Sequence, residues 1–303
     1  MKTITISHSS FVSYATIVTG SFLFCAKGIL VKELFSHGFN AEEILTLRII
    51  TALPFYAIAG VILWKSWTNI SRSDFIWIIM FSLIGFCLCS WINFMGLEHV
   101  SVGLERVILF SYPSLVLLGG IIFQNQEFNK VQFMACILTW IGLILVVADE
   151  VSFAGDKMTI IYGSFLIFLS ALIYACYLLC ARPVIKRVGA NTSTTLGMNI
   201  SCLIIISYYY FTNNGIEISG EWTSKTIACV LGIGIFGTVA PTYLLSIGLS
   251  RVSSSSYAIV SSLGPISTII LAAFMAKHIP SITQVIGMVL DLVSSLTINL
   301  KSN

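Results

Sequence analysis

Apolar residues run through this chain in blocks of about 18–25, broken by short polar connections, and each block is long enough to cross a bilayer as a helix. The blocks are Phe11–Phe35, Ala41–Trp64, Phe75–Leu97, Val102–Phe123, Val131–Val147, Thr159–Leu179, Thr192–Phe211, Thr226–Leu249, Ser254–Ala276 and Ile282–Leu300. The pattern predicts an all-α membrane protein of ten transmembrane helices. The widest breaks, Ala148–Lys157 and Thr212–Lys225, are read as connections, and the acidic first one (Asp149, Glu150, Asp156) divides the chain.

The blocks repeat. Gly96, Leu97, Val100, Ser101 and Pro113 return 152 positions later as Gly248, Leu249, Val252, Ser253 and Pro265, and the same ungapped offset pairs Gly85 with Gly237 and Gln132 with Gln284. With one residue removed, Cys25, Gly38 and Asn40 match Cys176, Gly189 and Asn191. This is a signature of internal duplication. Residues 1–152 and 153–303 then form two five-helix repeats. An odd helix count turns the second copy over, so the fold predicted is two inverted five-helix repeats, with a substrate site near the midplane between them.

Composition agrees. Hydrophobic residues make up 57% of the chain and charged residues only 10%, too few to cover a soluble surface. The net charge of +3 forms no basic stripe, which argues against nucleic-acid binding. All eight cysteines fall in apolar segments without zinc or redox spacing and read as small apolar filler. The block from Phe11 lacks a small-residue cleavage pattern and reads as a retained first helix. With the N-terminus inside, nine Lys and Arg residues, including the Arg182, Lys186, Arg187 cluster, face the cytoplasm against five outside. The bias places both termini in the cytoplasm.

Charge inside an apolar block is expensive and usually functional. Lys27, Arg48, Glu105 and Arg106 lie within spans, in the outer third of the membrane, and Glu98 lies at a span end. Glu98 and Glu105 are expected to pair among these cations. The second copy is uncharged at the matching places: Tyr257 stands for Glu105, Ala258 for Arg106 and Asn199 for Arg48. The cavity is thus expected to be charged on one copy and rich in hydroxyls, Ser261 among them, on the other. Three cations against two anions point to an anionic substrate group.

Pro113 and Pro265 sit midway along spans four and nine, where a proline frees a carbonyl and kinks the helix. Both are expected to line the cavity. Pro54 and Pro241 read as plain structural kinks. Trp91, Asn93, Tyr112 and Tyr257 are expected to add stacking and hydrogen bonds. Asp291, alone in the last span, either relays a proton, makes a helix contact in an oligomer such as a homodimer, or is simply tolerated there. Gly232, Gly234 and Gly237 match GxGxxG but lie inside an apolar block with no strand, which indicates close helix packing and not a nucleotide site. No hydrolase, metal or ATP-binding motif is present, so neither enzyme chemistry nor a cofactor or metal is expected.

Several of these runs resemble the EamA family of the drug/metabolite transporter superfamily. They are Ala26–Lys32, the Leu47-Arg48 pair, Gly96–Pro113, and Ala240-Pro241-Thr242 together with Ser262–Pro265. The resemblance spans nearly the whole chain as two EamA-type repeats. It implies a ten-helix transporter of the cell inner membrane with cytoplasmic termini. Its members move amino acids, nucleosides, sugars, other metabolites or drugs, often outward. The chain departs from the family's acidic pattern before the fifth helix of each copy, where Gln126 and His278 stand.

The expected activity is secondary active or facilitative export of a small metabolite, of amino-acid or organic-anion type, by alternating access. A multidrug or cationic-metabolite exporter is the alternative within the class, with Glu98 and Glu105 dominating the cavity. A membrane-embedded enzyme or a signalling or assembly factor would need clustered His or carboxylates at one interface, or a soluble output domain, and neither is found.

Overall fold

The computed structural model describes residues 8–68, 70–124, 130–153 and 155–261, and positions 282, 283, 286, 289 and 290. The described chain is helical: α1 (His8–Ser36), α2 (Ala41–Trp67), α3 (Arg72–His99), α4 (Val102–Gln124), α5 (Lys130–Phe153), α6 (Lys157–Val188), α7 (Ala190–Thr212), α8 (Ser224–Arg251) and α9 (Ser254–Ser261). The first eight are long and apolar enough to cross a membrane. They coincide with the first eight expected blocks. The rest of the ninth block and nearly all of the tenth lie outside the described residues, together with Pro265 and Asp291.

Two ends differ from expectation. α5 runs on to Phe153, so most of the predicted Ala148–Lys157 connection is helix. The extension is anchored by Glu150, whose carboxylate accepts from the Ser101 amide at 2.9 Å and its hydroxyl at 2.8 Å. α6 continues past Leu179 to Val188 and carries Pro183 within it. Its last turns bear Lys186 and Arg187, which favour a helix C-terminus.

The residues that repeat in sequence do the same local work twice. Ser101 caps α4 by accepting from Leu104 N at 3.1 Å, and Ser253 caps α9 by accepting from Ser256 N at 3.0 Å. Val100 and Val252 before them are both extended, with φ of −123° and −120°. Gly85 lies in a π-helical segment, Ser82–Leu88, within α3; Gly237 lies in another, Ile235–Val239, within α8. Such wide turns often mark functional sites in helices. Proline does not explain the pair, because Cys89 stands in α3 where α8 has Pro241.

Packing is reciprocal between the copies. α3 lies along α6, α8 lies along α1, and α2 lies along α7. Each third helix therefore packs on the other copy's first helix, and the two largest buried clusters among the described residues draw on both copies. Gly96 and Gly248 sit at the two equivalent crossings. A Cβ on Gly96 would come within 2.6 Å of Ile167 Cγ1 and 2.8 Å of the Gly163 carbonyl oxygen. Outward-facing positions such as Val61, Ile62, Phe123 and Phe211 are exposed and apolar, as lipid contact requires.

Candidate functional site

The four intramembrane charges converge. Lys27 on α1, Arg48 on α2, and Glu105 and Arg106 on α4 are 2%, 5%, 0% and 0% exposed. Glu105 belongs to Arg106: Oε2 is 2.8 Å from Arg106 Nε, and Oε1 accepts from Asn93 Nδ2 at 3.1 Å. The Glu105–Arg106 contact is ionic and not an aligned hydrogen bond, so Arg106 Nε and Nη2 still lack a hydrogen-bond acceptor.

Lys27 and Arg48 have no carboxylate partner among the described residues. Their company is aromatic. Lys27 Nζ lies 4.3 Å from the Phe24 ring centre and 4.8 Å from that of Phe94, and Arg48 Cζ lies 5.1 Å from the same Phe94 ring. Cation–π contacts of this kind stabilise by about 0.5–2 kcal/mol each. That is less than the several kcal/mol it costs to bury an unpaired ion. The group is thus left short of negative charge.

Two adjoining cavities open onto it. One, of about 50 Å³, is lined by Ser21, Lys27, Asn93, Arg106, Tyr112, Ser170 and Ser261, among others. The other, of about 90 Å³, is lined by Arg48, Thr238, Thr242, Tyr177 and both π-segment glycines. Phe24, Cys89, Ser90, Tyr174, Leu245 and Tyr257 line both, so these form the shared wall. The Ser21 and Ser170 hydroxyls and Asn93 Oδ1 are buried without hydrogen-bond partners. The second copy contributes hydroxyls in place of charge: Tyr174 and Tyr257 join their hydroxyls at 3.0 Å, and Tyr112 bonds Ser261.

Among the sequence-predicted site residues, the structure brings Lys27, Arg48, Asn93, Arg106, Tyr112, Tyr257 and Ser261 to the cavities. Glu105 stands directly behind Arg106. Trp91 and Pro113 are not on the cavity walls. The Trp91 ring packs against Tyr208, 5.7 Å between centres. Pro113 is buried at the start of the second half of α4, just past the break at Phe110 and Ser111. Glu98 is exposed and pairs with none of these cations; only its carbonyl takes part, accepting from Lys32 Nζ at 3.3 Å. Asn199, the counterpart of Arg48, donates to the Tyr56 and Thr195 carbonyls, both at 2.8 Å.

Sequence reading missed Phe24, Phe94, Tyr174 and Tyr177. Phe24 precedes Lys27 by one helical turn, a spacing that puts both on one face and could have flagged it. Phe94 carries no such signal, since only the crossing of α3 with α1 and α2 brings its ring near both cations. Gly28 was likewise silent. A Cβ there would lie 2.8 Å from Arg106 Nη2, so the bare glycine makes room for the guanidinium.

A model of the EamA-like transporter family matches residues 12–148 and 161–300. The chain is 25% identical over 282 residues to the uncharacterized transporter YcbK of Bacillus subtilis (strain 168), covering 89% of this chain and 87% of that one. It is 22% identical over 314 residues to the uncharacterized transporter sll1319 of Synechocystis sp. (strain ATCC 27184 / PCC 6803 / Kazusa), covering 94% and 92%. A solved crystal structure superposes with a TM-score of 0.69 at 16% identity over 97% of this chain and 98% of the other, a likeness of fold.

Proposed function

Because the chain belongs to the EamA-like transporter family, we propose that it moves small organic anions, amino acids among them, by alternating access between two inverted copies, residues 1–152 and 153–303. The proposed direction is outward across the cell inner membrane, with both termini cytoplasmic. One observation carries the substrate class: among the described residues three buried cations face the cavities and only one buried carboxylate, Glu105, stands with them. Nothing comparable favours an organic cation, since Glu98 is exposed and Glu105 is committed to Arg106. Flux of labelled organic acids and amino acids in proteoliposomes tests the reading. A panel in which only cationic drugs move would sink it.

Alternating access is supported by two ion pairs at equivalent places in the copies. Arg187, at the end of α6, meets Asp74, at the start of α3, with Nη2 2.5 Å from Oδ1. Glu33, near the end of α1, meets Lys225, at the start of α8, at 2.5 Å. Each joins one copy's first helix to the other copy's third, at opposite ends of the bundle, and the signs are reversed. Both are partly exposed, and exposed pairs stabilise by only about 0.2–1 kcal/mol. They are weak enough to open in turn. Cysteine pairs at 74/187 and 33/225, too short-reaching for a direct disulfide in place of these long side chains, should each be bridged by a short bifunctional thiosulfonate that forms reducible bonds. Either cross-link alone should arrest flux, and reduction should restore it. Full flux through both cross-linked forms would rule out rocking at these ends.

Gly28 offers a gentler probe. Gly28→Ala puts a methyl against the movable end of Arg106, so Arg106 must turn while the fold holds. Alanine is also the better helix former by about 1 kcal/mol. The apparent substrate affinity should fall roughly tenfold, about 1.4 kcal/mol, with no loss in unfolding temperature. An unchanged affinity would remove Arg106 from substrate binding.

A further inference from the structure

Resting on the anion-transport reading above, we infer that the site is built for a dianion: a short dicarboxylate, or its chemical equivalent, that places one anionic head in each cavity.

Charge is the first ground. Among the described residues at the centre, Lys27, Arg48 and Arg106 face one carboxylate, Glu105. A monoanion would leave this group cationic, and a zwitterion would leave its charge unchanged. Two negative charges complete the balance, and an unbalanced buried charge is strongly unfavourable.

Placement is the second. The cations are divided between the cavities. Lys27 and Arg106 line the smaller one and Arg48 the larger, so a single carboxylate in either leaves the other unserved. Arg106 Nη2 and Arg48 Nε are both buried without an acceptor. In the smaller cavity the unpartnered Ser21 and Ser170 hydroxyls can donate to the same carboxylate that Lys27 and Arg106 attract.

Reach and volume set the length. Lys27 Nζ and Arg48 Cζ lie 4.8 and 5.1 Å from the same Phe94 ring centre, which puts them within about 10 Å of one another. Charge-assisted contacts of roughly 2.8 Å at each end then leave at most about 4 Å between the inner oxygens. That caps the backbone at about four or five carbons. Volumes of about 50 and 90 Å³ hold on the order of three to five and six to nine waters, at about 10–15 Å³ per water. A compact diacid is of the size that this space accommodates.

The test is ligand-induced thermal stabilisation and direct binding on the purified full chain, with succinate and glutarate against succinamate and butyrate. The diacids should bind at least tenfold more tightly than the monoanions of the same length. In Arg48→Gln this ratio should collapse to about one, while Arg48→Lys should keep part of it. Wild-type protein that binds succinamate or butyrate as tightly as succinate overturns the dianion assignment and leaves anion transport standing. Failure of all four probes, with organic cations binding instead, overturns both. A diacid preference that survives Arg48→Gln removes Arg48 from the second subsite.

Discussion

Reversing the charge at Arg48 is expected to abolish transport while leaving the protein folded and inserted. Arg48 is 5% exposed, faces the larger cavity and has no carboxylate partner among the described residues. Arg48→Glu turns attraction for an anion into repulsion at the place where the substrate needs a counter-charge. Losing one partner of a buried pair costs about 3–5 kcal/mol, so flux should drop by on the order of a hundredfold or more. The substitution also brings Lys27, Arg106 and two carboxylates into formal balance, which removes an unpaired buried cation. Unfolding temperature should therefore hold or rise as transport disappears. Arg48→Lys keeps the charge but loses the planar fork over Phe94 and should fall between. Flux in proteoliposomes, normalised to monodisperse protein, reads all three. Full activity in Arg48→Glu would mean that the buried cations serve only to hold the fold.

Gly96→Leu is expected to prevent accumulation of folded protein. The Cβ would meet the Gly163 carbonyl oxygen at 2.8 Å and Ile167 N at 3.1 Å, and these backbone atoms cannot move without moving α6. α3 would have to leave α6, one of the three helix pairings that join the two copies. Gly96→Ala alone should destabilise by about 1–3 kcal/mol, the usual range for overpacking. Gly155→Ala is the control, since nothing lies within 4 Å of a Cβ there. Size-exclusion profiles and thermal unfolding in detergent separate the outcomes. A monodisperse Gly96→Leu protein of ordinary stability would show that the helix crossing tolerates more space than its geometry allows.

The repeated residues were legible as a repeat well before they had jobs. Ser101 and Ser253 recur because a helix entering from an extended valine needs an acceptor for its free amides. Gly96 and Gly248 recur because a side chain at either would strike the helix of the other copy. The widened turns around Gly85 and Gly237 left no mark beyond the glycines themselves, because a π-turn depends on what the helix packs against. The charged cluster was legible as a set of costly residues. Its pairing was not: Glu98 and Glu105 look alike in sequence, yet one is exposed and the other is buried against Arg106 and Asn93.

Hydrophobic block length, the offset of 152 and the cost of charge in lipid are properties of the chain taken one segment at a time, so sequence alone pointed to a helical membrane protein of two repeats with charged residues inside its spans. Which cations stay unpaired, which aromatic ring they share and how they divide between two cavities depend on distances across helices far apart in the chain. Lys27, Arg48 and Phe94 lie on three different helices, and only their crossing sets those distances. For that reason the tertiary structure decided the site.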